Sequence, residues 1–237
     1  GGLMDIMRDA GVPPSMQRPG IGDHAAASNL VCGVLVALRE RDRTGRGTYV
    51  DVSLRNTALH ILGNDASIAA ATGQAPPRHD RTRPTNPLWN SYPVGGDVDG
   101  ESRWIVLCMI EPDRYWEVFC RAIGREDLLA DERFADGWQR TAHAADLVAE
   151  LDGTFRTRTL DEWEKILGDA RLIWAPVRRV DEVARDASAR EHGYFHEIEH
   201  AEAGPFETIS CPIRILGHDL RGRAAAAPLG ADTRAVL

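Results

Sequence analysis

The chain has 237 residues, 43% hydrophobic and 27% charged, with a formal net charge of −8. That length and composition suit a core-forming globular protein and exclude a disordered one. The acidic balance argues against a sequence-independent nucleic-acid surface, which needs net positive faces to meet phosphate.

Further exclusions follow from the residue pattern. The longest apolar stretch, 29–38, ends in Arg39-Glu40-Arg41 and is roughly half the length of a membrane span. With no secretory signal pattern, the expectation is a cytoplasmic protein that does not associate with a membrane. Lys165 is the only lysine among many arginines, which suggests codon bias more than phosphate-binding specialisation. Cys32, Cys108, Cys120 and Cys211 form no C-x-x-C pair and are expected as reduced structural thiols, with Cys32 and Cys108 buried in apolar runs. The chain starts Gly1-Gly2-Leu3-Met4 without a strand–turn–helix unit before its first glycine-rich turn. The expectation is that it begins inside a longer protein.

In chain order, residues 1–22 carry Pro13, Pro14, Pro19 and Gly20 and are expected as loop leading to Gly22-Asp23. Residues 24–41 have a helical pattern, with Leu30, Val34, Ala37, Leu38 and Arg41 on one face. Gly45 and Gly47 break it. Alternation over 49–54 predicts a strand, and a second helix is expected over 55–71, stopping at Thr72-Gly73. Pro76, Pro77, Pro84 and Pro87 among Arg78, Arg81 and Arg83 mark 73–88 as a linker.

A new unit begins at Trp89, with a Gly95-Gly96/Asp99-Gly100 turn and a strand over 104–109. Helices are expected over 112–123, 141–155 and 160–167, the last capped by Thr159. Residues 172–177 are expected as a short buried strand with Pro176 at its exit, and 180–187 as a short helix. The tail, 194–215, predicts two or three strands around a turn at Gly204-Pro205. No repeat of 20–50 residues is present. The plan is mixed α/β in two lobes.

Asp23 stands before a long helix, where an aspartate is a good cap, worth about 1 kcal/mol. The same geometry, with Gly22 allowing close approach, suits an exposed nucleophile or base at a helix start that favours anions. Spacing leaves both open. His24 adjoins it and is expected to point away from it. His192, His196 and His200 recur every fourth residue, the spacing of a metal face on a helix. The alternation from Phe195 to Ile198 argues for a strand instead, so no metal site is expected.

Arg18-Pro19-Gly20-Ile21-Gly22-Asp23-His24-Ala25-Ala26, then Gly33-Val34-Leu35-Val36-Ala37-Leu38, Arg41-Asp42-Arg43-Thr44-Gly45-Arg46-Gly47 and Val50-Asp51-Val52-Ser53-Leu54 together resemble family III coenzyme A transferases, the CaiB/BaiF family. The likeness continues in family order through Trp116 to Arg125, Asp131-Glu132-Arg133-Phe134, Ala175-Pro176-Val177 and Pro228-Leu229-Gly230.

The resemblance implies an α/β fold with a Rossmann-like large domain, incomplete here, plus a small α/β domain, in an interlocked dimer. Residues 1–60 and 186–237 would belong to the large domain, 89–178 to the small one, and 61–88 and 179–185 to linkers. The implied substrates are an acyl-CoA and a carboxylic acid acceptor, with no metal. The implied partner is a second copy or a chain supplying the upstream half. Asp23 takes the role of the family's nucleophilic aspartate, carrying CoA as an aspartyl thioester. Gly22, His24, Gly95 and Gly96 are candidate CoA-site residues. Gly95-Gly96 could offer backbone donors, but the longer glycine run of the formyl and oxalyl transferases is absent, and a plain hairpin turn explains the pair as well. Arg43, Arg46, Arg78, Arg81 and Arg83 could contact CoA phosphates or simply be solvated.

Ile110-Glu111-Pro112 resembles the α-methylacyl-CoA racemase branch, where this glutamate orients a catalytic histidine and the aspartate works as acid or base. Glu-Pro-Asp is equally ordinary helix-start chemistry. A non-catalytic subunit is the third reading.

Overall fold

Residues 3 to 72 hold four helices in the computed structural model, which describes residues 2–9, 11–222 and 225–237. α1 (Leu3–Ile6) lies in the segment expected as loop. α2 (Ile21–Thr44) starts earlier and ends later than the apolar pattern predicts. Its bounds come from two glycines in the left-handed region: Gly20 (φ +88°) as N-cap, and Gly45 (φ +72°), whose N–H donates to the Arg41 carbonyl at 2.7 Å. Residues 49–53 alternate as a strand would, yet they pair with no strand among the described residues. Ser53 caps α3 (Leu54–Ile61), its hydroxyl accepting from the Asn56 N–H at 3.1 Å. The expected second helix is in fact two, since the chain turns at Leu62 before α4 (Gly63–Thr72). α4 lies inside the stretch expected as a linker.

These helices bury almost nothing. Thr57 is their one buried residue among the described residues, and α2 has none. Val31, Leu35 and Val36 are 52%, 60% and 70% exposed, so the apolar surface of α2 is uncovered in this chain. α2 is long and apolar enough to cross a membrane, which corrects the shorter estimate from residues 29–38; core helices of soluble proteins pass the same test.

The hydrophobic core lies between Leu88 and Leu172. β1 (Trp89–Val98) and β2 (Glu101–Cys108) form an antiparallel hairpin, with an irregularity between Val94 and Val98. Its turn is Asp99-Gly100, both at positive φ, while Gly95-Gly96 lies within β1. α5 (Pro112–Ala122), α7 (Ala144–Phe155) and α8 (Leu160–Asp169) share the core with the sheet, and α6 (Gly137–Ala142) packs beside α7, its buried Arg140 ion-paired with Asp113 of α5. The expected single helix over 141–155 is broken at His143. Thr159 caps α8 as expected, in a reciprocal box with Glu162. Trp163 is fully buried, sits edge-on to Phe155 at 5.0 Å between centroids, and donates its indole N–H to the Phe155 carbonyl at 2.8 Å. β3 (Trp174–Val177) is the outer strand next to β2. It is half-exposed, not buried, and Pro176 sits within it, as an edge strand tolerates.

The proline-rich segment 73–88 is docked on this core. Arg81 ion-pairs with Asp152, donates to the Ser91 carbonyl, and lies 5.1 Å and 5.8 Å from the Trp104 and Tyr92 ring centroids. Asn90 bonds to the Arg81 carbonyl, and Asn86 to that of Met109.

The chain divides by its contacts at Ala175/Pro176. The second unit holds α9 (Val180–Arg185), α10 (Ala187–Glu191), a hairpin of β4 (Phe195–His200) and β5 (Gly204–Ile209), and α11 (Thr233–Val236). The hairpin turns at 201–203, so Gly204-Pro205 opens β5 instead of making the turn. Arg190 ion-pairs with Glu207 of β5 and so ties α10 to the hairpin.

Candidate active site

Asp23 is the third residue of α2, not its cap. The cap is Gly20, which offers no side chain, so no side-chain acceptor takes the N–H groups of the first turn. The Asp23 carboxylate is exposed and makes no hydrogen bond or ion pair among the described residues. An aspartate serving the helix as a cap would accept from backbone N–H groups, as Asp136 and Asp186 do at the starts of α6 and α10. Asp23 does not. Its carboxylate stands free at the positive end of a 24-residue helix.

The surroundings fix this first turn. The His24 N–H donates to the Gly20 carbonyl at 2.8 Å, and the His24 ring folds back over Gly20, 3.3 Å from where a Cβ would lie. Farther along α2, a Cβ on Gly33 would come within 2.8 Å of Val50 Cγ1, so the 49–53 segment lies close against the helix. Asn29 Nδ2 donates to Thr57 Oγ1 at 3.4 Å, joining α2 to α3.

The other candidates stand apart. Glu111 is the N-cap residue of α5 without a side-chain cap bond; it faces solvent and pairs with Arg114 at 3.5 Å. It shares no hydrogen bond or ion pair with Asp23. Gly95 is not in a free loop: its N–H donates to the Arg158 carbonyl at 2.8 Å, and a Cβ would meet the Arg156 carbonyl at 2.7 Å. That N–H is already committed within the fold, and the close approach accounts for the glycine. Gly96 follows at φ +79°.

His192, His196 and His200 do not share a helix. His192 closes α10, while His196 and His200 lie on β4. His196 bonds to Ser210 and the Gly222 carbonyl, and His200 accepts from the Glu202 and Ala203 N–H groups. Among the described residues no group of three His, Cys, Asp or Glu is arranged to hold a metal ion. Arg43, Arg78 and Arg81 are engaged with Glu40, Asp5 and Asp152. Cys32 is exposed, contrary to expectation, and Cys108 is half-buried. Cys120 is buried, and burial pushes its thiol up to about 12.

The model of one protein family, CoA-transferase family III, matches residues 1–233. The chain belongs to CoA-transferase family III. Among curated relatives, it is 28% identical to (R)-2-hydroxy-4-methylpentanoate CoA-transferase of Clostridioides difficile, over 100% of this chain and 58% of that protein. It is 29% identical to formyl-CoA:oxalate CoA-transferase of Escherichia coli, over 95% of this chain and 58% of that protein. The crystal structure of a CaiB/BaiF family protein from Brucella suis superposes with a TM-score of 0.78 at 22% identity, covering 100% of this chain and 60% of that one. A Mycobacterium tuberculosis protein superposes with a TM-score of 0.75 at 23% identity, covering 94% and 57%. The mixed α/β fold of this family III chain therefore matches known CaiB/BaiF folds, and the chain spans under two thirds of the length of these relatives.

The sequence does not single out Gly20 as the cap of α2. Pro19-Gly20 signals a turn, but only the backbone shows that Gly20, and not Asp23, caps the helix.

Proposed function

We propose that this chain carries the nucleophilic carboxylate of an acyl-CoA:carboxylate CoA-transferase, and that Asp23 is that group. The observation that carries the reading is a carboxylate in the first turn of α2 with no partner, where a structural aspartate would be capping backbone N–H groups. The family supplies the reaction class. In the first step an Asp23 carboxylate oxygen attacks the acyl carbon, the C–S bond breaks, and CoA leaves as thiolate, giving a mixed anhydride. The thiolate then attacks the aspartyl carbonyl of the anhydride, releasing the donor acid and leaving an aspartyl-CoA thioester. The acceptor carboxylate attacks that thioester, its C–S bond breaks to free CoA thiolate and leave a second mixed anhydride, and the thiolate then attacks the acceptor acyl carbon, giving the new acyl-CoA and releasing the Asp23 carboxylate. Each step moves one acyl bond and one thiolate; no oxidant or metal enters. Uncapped N–H groups at the head of α2 suit the developing oxyanion, and Gly22 and His24 flank the reacting group.

The substrate class we infer is a CoA thioester of a small carboxylic acid with a second carboxylate as acceptor, as the names of the relatives suggest. Activity is proposed for a larger assembly. The uncovered apolar surface of α2 needs a partner layer, which we assign to further chain on the same polypeptide or on an interlocked second copy, together completing a Rossmann-like large domain. The 237 residues alone are then expected to show no turnover. On the full-length protein, incubation with acyl-CoA followed by hydroxylamine or borohydride should mark the peptide holding Asp23, and Asp23→Ala should abolish both marking and transfer. Full turnover by Asp23→Ala would refute the assignment.

A further inference from the structure

Gly22 is the second residue of α2, and neither usual reason for a glycine applies to it. Its φ is not positive, so a side chain brings no backbone strain. A Cβ built on it meets nothing within 4 Å, so the described residues place no packing demand there. Alanine is the better helix former. Gly20, two residues earlier, is the opposite case, with its left-handed backbone and the His24 ring against it. What stands beside Gly22 is Asp23, exposed and unpartnered, in a first turn without a side-chain cap.

We propose that Gly22 is a specificity-determining residue, whose missing side chain keeps a gap beside Asp23 through which the acyl group of the thioester reaches the carboxylate. This rests on the reading of Asp23 as the nucleophile. In the attack the acyl carbon must come to bonding distance of an Asp23 oxygen while its α-substituents still clear the helix backbone. Bulk added at residue 22 occupies that clearance. The penalty therefore grows with the size of the acyl group: a formyl group, carrying only hydrogen, fits past a methyl that a branched acyl chain strikes.

The test uses the full-length protein with Gly22→Ala, Gly22→Ser and, as control, Gly153→Ala. Gly153 is a glycine within α7 that also has open space around its Cβ position. Single-turnover transfer is followed over a series of acyl-CoA donors from formyl to 2-hydroxy-4-methylpentanoyl, together with thermal melts. Both Gly22 variants should fold with melting temperatures at or above wild type. Their rates relative to wild type should fall progressively with acyl size, by about tenfold or more for the largest donor accepted, the scale of one methyl group in a pocket. Gly153→Ala should show no size dependence. Equal loss for every donor, or no loss, would overturn the inference while leaving Asp23 in place. A Gly22 variant that fails to fold would overturn it as well, by showing the space is needed for packing. If Asp23→Asn retains transfer, the underlying reading fails, and this inference with it.

Discussion

Gly95→Ala separates a packing glycine from a ligand-binding one. The β1 backbone at Gly95 runs against the turn between α7 and α8, donating to the Arg158 carbonyl at 2.8 Å and bridging to Thr159. An added methyl would lie 2.7 Å from the Arg156 carbonyl oxygen and 3.0 Å from that of Arg158. Ordinary C···O contacts begin near about 3.3 Å, so the carbon sits roughly 0.6 Å too close to main-chain atoms. Those atoms cannot swing away as the end of a side chain could. The Trp163 indole bond to the Phe155 carbonyl and the Thr159/Glu162 capping box hold the turn on both sides. Overpacking costs about 1–3 kcal/mol and the strained Gly95–Arg158 bond about 0.5–1.5 kcal/mol, so the expected loss is roughly 2–4 kcal/mol. Urea unfolding followed by tryptophan fluorescence measures it, since Trp104, Trp116 and Trp163 all lie in this unit. Gly96→Ala serves as comparison; its nearest neighbour would be Thr159 Cγ2 at 3.4 Å, and its left-handed backbone costs about 1–2 kcal/mol. A Gly95→Ala protein with wild-type stability but no CoA transfer would refute the packing argument and return Gly95 to the active site.

Three further outcomes are expected. Trp163→Ala should destabilise the unit by about 3–5 kcal/mol in the same assay, because the side chain is fully buried and hydrogen-bonded. At pH 8 a thiol reagent should leave Cys120 unmodified, its thiol being pushed up to about 12 by burial, while Cys32 reacts in the 237-residue chain and is protected in the full-length protein. Rapid labelling of Cys32 in both would contradict a covered α2. The guanidinium of Arg125 holds the Asp127 carboxyl below the ordinary aspartate value of about 3.9. Its contribution to stability is therefore complete above that value and is lost as the pH falls through the lower folded-state value. An NMR titration of Asp127 with a midpoint at or above the ordinary value would contradict the pairing.

The legible parts of the fold were those with strong local signals. Pro112 at a helix start, Thr159 with Glu162, and Gly73 after Thr72 each fix a helix end by chemistry within four residues. Alternation misled at 49–53, because a strand needs a partner and none pairs with this segment among the described residues. At 172–177 the apolar run suggests a buried strand, yet residues 174–177 form a half-exposed edge strand. The docking of 73–88 depends on Arg81 meeting Asp152, a contact between residues 71 apart in sequence that no local pattern reveals. At the candidate site, the motif identified Asp23, but its standing free of capping bonds was decided by Gly20 taking the left-handed backbone three residues earlier. The Gly95-Gly96 pair looked like a loop because a sequence shows glycine without showing what approaches it.

Oxygen tracing tests the covalent role of Asp23 most directly. With an acceptor acid labelled by ¹⁸O in its carboxylate, the anhydride step leaves one labelled oxygen on the aspartate when the returning thiolate takes the acyl group. Mass spectrometry of the full-length protein after a single turnover should find one heavy oxygen in the peptide containing Asp23. Complete transfer to the acceptor with an unlabelled Asp23 would contradict the account.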